Sequence, residues 1–154
     1  MKAIAIGGWG INCPEKNLIL ANETGSLLAS YCYIVCVGGL TGTFHEALKG
    51  AKDKGGQTKA FIDAKPDNLS NTYCDEIEII EDQSTKHIRI ARYCDAIILI
   101  GGGEGSLKLI DRFLFLNKPV IVINETGGIA DSIISNNITY ADTIKEAVDI
   151  INKN

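Results

Sequence analysis

The sequence predicts an α/β fold: a doubly wound, mainly parallel sheet with helices on both faces, built as one domain over residues 1–154. Three observations lead there. Short β-branched runs recur that are apolar at successive positions, the pattern of strands buried on both faces and so of parallel pairing. Amphipathic segments alternate with those runs, as crossover helices must. Glycine clusters stand directly after three of the runs, where strand-to-helix turns belong.

The elements follow in order. Lys2–Ile6 reads as the first strand, and Glu15–Tyr31 as a helix with Leu18, Ile19, Leu27 and Leu28 on its apolar side. Tyr33–Val37 is the second strand and Thr43–Lys54 the second helix. Lys59–Ile62 and Glu76–Ile80 are strands separated by the polar segment Asp63–Asp75, which contains Pro66. Ser84–Tyr93 is helical, Ala96–Ile100 is a buried strand and Ser106–Leu116 a helix. Pro119 opens the strand Val120–Ile123. Two helices close the chain, Ile129–Asn136 and Thr143–Ile151, the latter with a capping box at Thr143-x-x-Glu146.

Composition excludes several function classes. The chain is 45% hydrophobic and 22% charged, as expected of a globular protein, and no apolar run reaches the ~18 residues of a membrane span. A net charge of −4 speaks against broad nucleic-acid binding, whose affinity comes from neutralised phosphates. The five cysteines (13, 32, 36, 74 and 94) form no CxxC, and Gly7 interrupts the N-terminal apolar run before it could serve as an export signal. The expectation is reduced, mostly buried thiols in a cytoplasmic protein. With only His45 and His87, no zinc spacing can be built, and no metal is expected. Lys49, Lys52, Lys54 and Lys59 read as a solvated helix face.

Sixteen of the 154 residues are Gly, above the average of about 7%, and ten of them fall in three loops after strands. These are Gly7-Gly8-Trp9-Gly10, Gly38-Gly39-Leu40-Thr41-Gly42-Thr43 and Gly101-Gly102-Gly103-Glu104-Gly105-Ser106. The last two share the form Gly-Gly-x-x-Gly-(Thr/Ser), 63 residues apart, and each leads into a helix. A glycine turn at a helix start offers close backbone approach, unpaired N–H groups and a positive dipole end, which together suit a phosphate. The expected ligand residues are Gly8, Trp9, Gly38, Gly39, Thr41, Gly42, Thr43, Gly101, Gly102, Gly103, Gly105 and Ser106. Familiar nucleotide motifs are absent. Gly8-x-Gly10-x-x-Cys13 lacks the third glycine of a dinucleotide fingerprint, and no P-loop occurs.

The segment Gly38-Gly39-x-x-Gly42-x-x-x-Glu46-Ala47, with Gly50-Ala51 and Gly55-Gly56 after it, resembles the first motif of the LOG and DprA-related Rossmann superfamily (SLOG). Asp95-Ala96, Gly101-Gly102-Gly103-x-Gly105-Ser106 and Lys118-Pro119-Val120-Ile121 resemble its second. The resemblance runs from Ile4 to Gly128 and is nearest to the small single-domain branch that includes molybdenum-cofactor carrier proteins. It implies a phosphorylated ligand such as a nucleoside monophosphate or a phosphorylated pterin, no required cofactor, and a homodimer. Apolar residues almost all round the Leu107–Leu116 helix fit a second subunit there.

LOG enzymes release a base from nucleoside 5′-monophosphates with an Arg and a Glu. Counting from the motifs, those positions hold Lys86 and Leu109 here. Lys86 can meet a phosphate as a point charge, without the fork of Arg. Leu109 cannot stabilise an oxocarbenium-like charge or place a water. Asp111 lies about 200° round the helix from Leu109 and is no substitute. The remaining catalytic candidates are Lys86, Glu46 and Glu104. Glu46 could hold a ribose hydroxyl or complete a capping box with Thr43. His87 could aid an anion or face solvent. Trp9 could stack on a base or cover the sheet edge. The leading expectation is a carrier or sensor of a phosphorylated ligand; the alternative is a phosphoribohydrolase. Lysine decarboxylase, a label also attached to this superfamily, would need a Schiff-base Lys that nothing in the sequence singles out.

Overall fold

A computed structural model describes residues 1–154. Seven strands, β1 Ala3–Gly7, β2 Ile34–Val37, β3 Thr58–Ile62, β4 Glu76–Ile79, β5 Ala96–Leu99, β6 Val120–Ile123 and β7 Thr139–Ala141, form one sheet. Six helices connect and follow them: α1 Glu15–Ser30, α2 Thr43–Asp53, α3 Gln83–Tyr93, α4 Glu104–Phe115, α5 Gly128–Ser132 and α6 Ile144–Asn152. The strand order is β4-β3-β2-β1-β5-β6-β7, and every pair is parallel. The chain winds outward from β1 to β4, then crosses back to β5 and winds the other way. The switch point therefore lies between β1 and β5.

Alternate residues of each central strand feed two cores. Ile4, Ile6, Val35, Val37, Ile98 and Ile100 pack under α1, α2 and α6. Ala5, Cys36, Ile97 and Leu99 meet Ile90 of α3 and Leu109, Ile110 and Phe113 of α4 on the other face. This two-sided burial is why these strands read as unbroken apolar runs. On the first face, α1 and α2 touch backbone to backbone. A Cβ on Gly25 would stand 2.0 Å from the Ala47 carbonyl oxygen, and one on Gly50 would stand 2.0 Å from that of Asn22. Two glycines thus serve helix packing and no ligand.

Four expectations need correction. The strand β7 was not anticipated: Thr139-Tyr140-Ala141 is a three-residue edge strand with only Ala141 buried, too short for any periodicity. Lys59 is on no helix face. It lies buried in β3, its Nζ 4.2 Å from the Tyr93 ring centroid, 5.0 Å from that of Phe61 and 3.4 Å from Glu76. The capping box at Thr43 does not form. Gly42 is the N-cap of α2, and the Thr43 hydroxyl instead accepts from the Trp9 N–H at 3.2 Å. The cysteines are all free, but only Cys36 and Cys94 are buried.

Candidate functional site

A cleft of about 240 Å3 opens at the switch point. Gly7 at the end of β1 and Gly8, Trp9 and Gly10 after it line the cleft together with Gly38 after β2. Gly103, Gly105 and Ser106 border it at the start of α4, with Leu109 one turn further on. Gln83, Lys86, His87 and Ile90 of α3 close the other side, and Phe44 of α2 completes the wall. None of the lining residues is acidic.

The two matched glycine loops are used differently. At α2 every first-turn N–H is already taken. Thr43 donates to the Trp9 carbonyl at 2.8 Å, Phe44 and His45 donate to Thr41 and Glu46 donates to Gly42. Gly42 makes this closure possible: its φ is +57°, and a Cβ there would stand 2.0 Å from the Gly10 carbonyl oxygen. Thr43 is fully buried. The β1 loop has thus filled the anion position of α2 with its own carbonyl. At α4, by contrast, the N–H groups of Glu104, Gly105 and Ser106 have no acceptor in the protein; Leu107 is the first to donate, to Gly103 at 3.1 Å. The Ser106 hydroxyl donates to the Gly8 carbonyl at 3.1 Å and keeps its lone pairs. One of the two loops presents a free helix start to the cleft.

Lys86 faces that helix start from α3. It is 8% exposed, and its Nζ donates to the Gly38 carbonyl at 2.9 Å without a carboxylate partner. Burial lowers its pKa, partly opposed by the charge of Asp63. A buried ammonium with one neutral partner retains donors for an anion. His87 beside it is half-buried, and its pKa is lowered by burial and then by the charges of Lys86, Arg112 and Lys108. The cleft is therefore electropositive although the chain is acidic.

Of the sequence-predicted residues, Gly8, Trp9, Gly38, Lys86, Gly103, Gly105 and Ser106 come together in the cleft. Gly39, Thr41, Gly42, Thr43, Gly101 and Gly102 do not line it. Gly39 leaves room for the Phe44 ring, which a Cβ would meet at 2.8 Å. Gly101 lies under Trp9, and a Cβ on Gly102 would meet the Ser106 hydroxyl at 2.8 Å. Trp9 is half-buried against Gly101, Gly127 and Gly128, with one edge on the cleft. Glu46 is outside the cleft and accepts from the Asn22 amide at 3.3 Å. The Glu104 side chain is 84% exposed and 3.9 Å from Lys108. Gly7, Gly10, Phe44, Gln83 and Ile90 were not anticipated as site residues. Only Gly7 and Gly10 carried a signal, being in the first glycine loop. Asp95 and Lys118 of the second motif are structural: Asp95 accepts from the Ala3 N–H, and Lys118 caps the last carbonyls of α3. No group of three metal-ligating side chains occurs, and no helix is long and apolar enough to cross a membrane.

Comparison with known proteins places this geometry in a family. The model of the SLOG cluster4 family matches residues 1–149. The chain belongs to that family. Among relatives of the SLOG cluster4 chain, an uncharacterized protein of Archaeoglobus fulgidus is 34% identical over 131 residues, 79% of this chain and 85% of the relative. The molybdenum cofactor carrier protein of Chlamydomonas reinhardtii superposes with a TM-score of 0.85 at 25% identity, covering 99% of this chain and 98% of that one. The molybdenum cofactor binding protein of the phototrophic bacterium Rippkaea orientalis gives 0.87 at 23%, covering 99% and 96%. The second likeness, at its identity, speaks to the fold.

Proposed function

We propose that this SLOG protein holds a phosphorylated small molecule, a nucleoside monophosphate or a phosphorylated pterin, as a carrier or sensor. The observation that carries the reading is the free first turn of α4 facing the buried Lys86 ammonium across the cleft. The phosphate would accept from the N–H groups of Gly105 and Ser106 and from Lys86. Trp9 and Phe44 offer apolar surface to a planar body. The likeness to a molybdenum cofactor carrier protein supports the pterin as cargo.

Isothermal titration with AMP, other nucleoside monophosphates, inorganic phosphate and a phosphorylated pterin tests this. Gly105→Asp is the matching variant. A Cβ at Gly105 meets nothing within 4 Å, so the fold tolerates it, while its carboxylate adds a negative charge to the first turn of α4 at the border of the cleft. Binding that is lost in Gly105→Asp supports the reading, and no binding of any of these compounds refutes it.

Hydrolysis of an N-glycosidic bond is the competing reading. It needs a carboxylate at the cleft, whereas Leu109 occupies the wall, Glu46 is held by Asn22 and Glu104 points to solvent. Free base released from AMP, and lost in Lys86→Ala or Glu46→Ala, would reverse the assignment.

The reading includes a homodimer through α4. Phe115 is 83% exposed and continues with Leu116 and Ile88 into an apolar edge. Light scattering on the wild type and on Phe115→Asp distinguishes dimer from monomer. A cytoplasmic setting fits the five free thiols.

A further inference from the structure

The cleft does not end at His87. A second cavity of about 420 Å3 continues from it between α3 and α4, and Gln83 and His87 line both. Ser84 of α3 stands on one side of this groove; Lys108, Asp111, Arg112 and Phe115 of α4 stand on the other. A molecule seated at the first turn of α4 thus has an open path along that helix. At about 1.5 Å per residue, Lys108 lies roughly 4.5 Å and Arg112 roughly 10.5 Å along the axis from Gly105.

The cations of the groove are weakly committed. Lys108 meets only Glu104, at 3.9 Å, and both side chains are mainly solvated, so an incoming anion competes easily with that pair. Arg112 has no carboxylate within ion-pair distance and donates one N–H to the Ser84 hydroxyl at 3.3 Å. The rest of its fork is free for a bidentate acceptor. His87 stands between these two side chains and Lys86, which makes a continuous basic track from the cleft into the groove. Asp111 is the single acidic side chain on the walls.

We infer that the α3–α4 groove is a second anion subsite, so that the ligand carries a phosphate at the start of α4 and a second anionic group about 5–10 Å away along the helix. Directly adjacent phosphates would leave the groove unused. This inference rests on the phosphate reading of the first cleft.

Adenosine 5′-monophosphate and adenosine 3′,5′-bisphosphate are suitable probes, since they share a body and differ by one separated phosphate. Calorimetric titrations at low and high salt give the ratio of their affinities. In the wild type the bisphosphate binds about tenfold tighter or more, with the steeper loss in salt. In Lys108→Ala/Arg112→Ala the ratio falls to about one. Lys108→Ala alone, at a mainly solvated position, gives an intermediate ratio and guards against a folding defect in the double variant. A ratio near one in the wild type, or a ratio that survives the double substitution, overturns the second subsite and leaves the first reading standing. If neither nucleotide binds, this inference falls, while the phosphate reading is decided by inorganic phosphate and the phosphorylated pterin.

Discussion

Lys86 gives the sharpest test, because the structure predicts opposite effects on binding and on stability. Lys86→Met removes a buried ammonium and keeps a side chain of similar length in the wall. A buried charge without a carboxylate partner costs more solvation than its one hydrogen bond to Gly38 returns. The Gly38 carbonyl borders the cleft, so water can replace the lost donor. Stability should therefore be unchanged or raised by up to about 1 kcal/mol, a Tm shift of roughly 0 to +4 °C. Binding should fall: a hydrogen bond from a charged donor is worth about 1.5–3 kcal/mol, which is roughly 10- to 150-fold in Kd for a phosphorylated ligand. Thermal unfolding and calorimetric titration of the same preparation read both quantities. A variant that melts several degrees lower and binds phosphate compounds as tightly as the wild type would show Lys86 to be a structural residue, and the electropositive-cleft reasoning would fail.

Other expectations follow from single positions. Gly42→Ala forces a side chain at φ +57° into the Gly10 carbonyl and should cost about 3 kcal/mol or more, whereas Gly105→Ala meets nothing within 4 Å and should be neutral or stabilising by under ~1 kcal/mol; chemical denaturation separates them. Trp9 is the sole tryptophan and borders the cleft, so ligand binding should shift the intrinsic emission, and an unchanged spectrum at saturation would place the ligand elsewhere. His87 couples binding to protons. Its pKa is held low in the free protein, and an anion that offsets Lys86, Arg112 and Lys108 raises it. The complex then holds more protons, so affinity should rise as pH falls through the ordinary imidazole range, and His87→Asn should flatten that slope in titrations from about pH 8 to 5.5. The stability of the free protein has the opposite slope. A folded pKa below the unfolded one means that stability is lost as pH falls through the unfolded value of about 6.5.

The central strands and most helices were legible because burial on both faces writes itself as unbroken apolar runs at Ile4–Ile6, Val35–Val37, Ile97–Ile100 and Val120–Ile123. Edges were harder: Thr139–Ala141 pairs on one side only and carries no pattern. Lys59 looked like a surface charge because sequence cannot show the Tyr93 and Phe61 rings that shield it. At the site, the glycine loops pointed to the right end of the sheet, and motif counting brought Lys86 to the cleft. Phe44, Gln83 and Ile90 were missed since their part depends on how α2 and α3 pack, and no local signal encodes that. The Thr43-x-x-Glu46 spacing misled for a related reason. Whether a Thr caps its own helix depends on what else approaches, and here the Trp9 backbone arrives first.

That arrival explains why two loops of one form do different work. A helix start needs acceptors, and either the protein or a ligand can supply them. At α2 the protein supplies them: the Trp9 carbonyl of the β1 loop accepts from Thr43, and the Thr41 and Gly42 carbonyls accept from the next three N–H groups. Gly42 leaves room for the β1 loop to approach, and the Trp9 N–H returns a bond to Thr43. This closure fixes the β1 loop, and with it the Gly8 carbonyl that accepts from Ser106. The closed loop therefore anchors the open one. It follows that Gly42→Ala should impair ligand binding even at temperatures where the variant stays folded, although Gly42 does not line the cleft. Titration of Gly42→Ala well below its Tm measures this directly. Wild-type affinity in that variant would mean that the start of α4 is held in place without the first loop, and that the resemblance between the two loops has no bearing on the site.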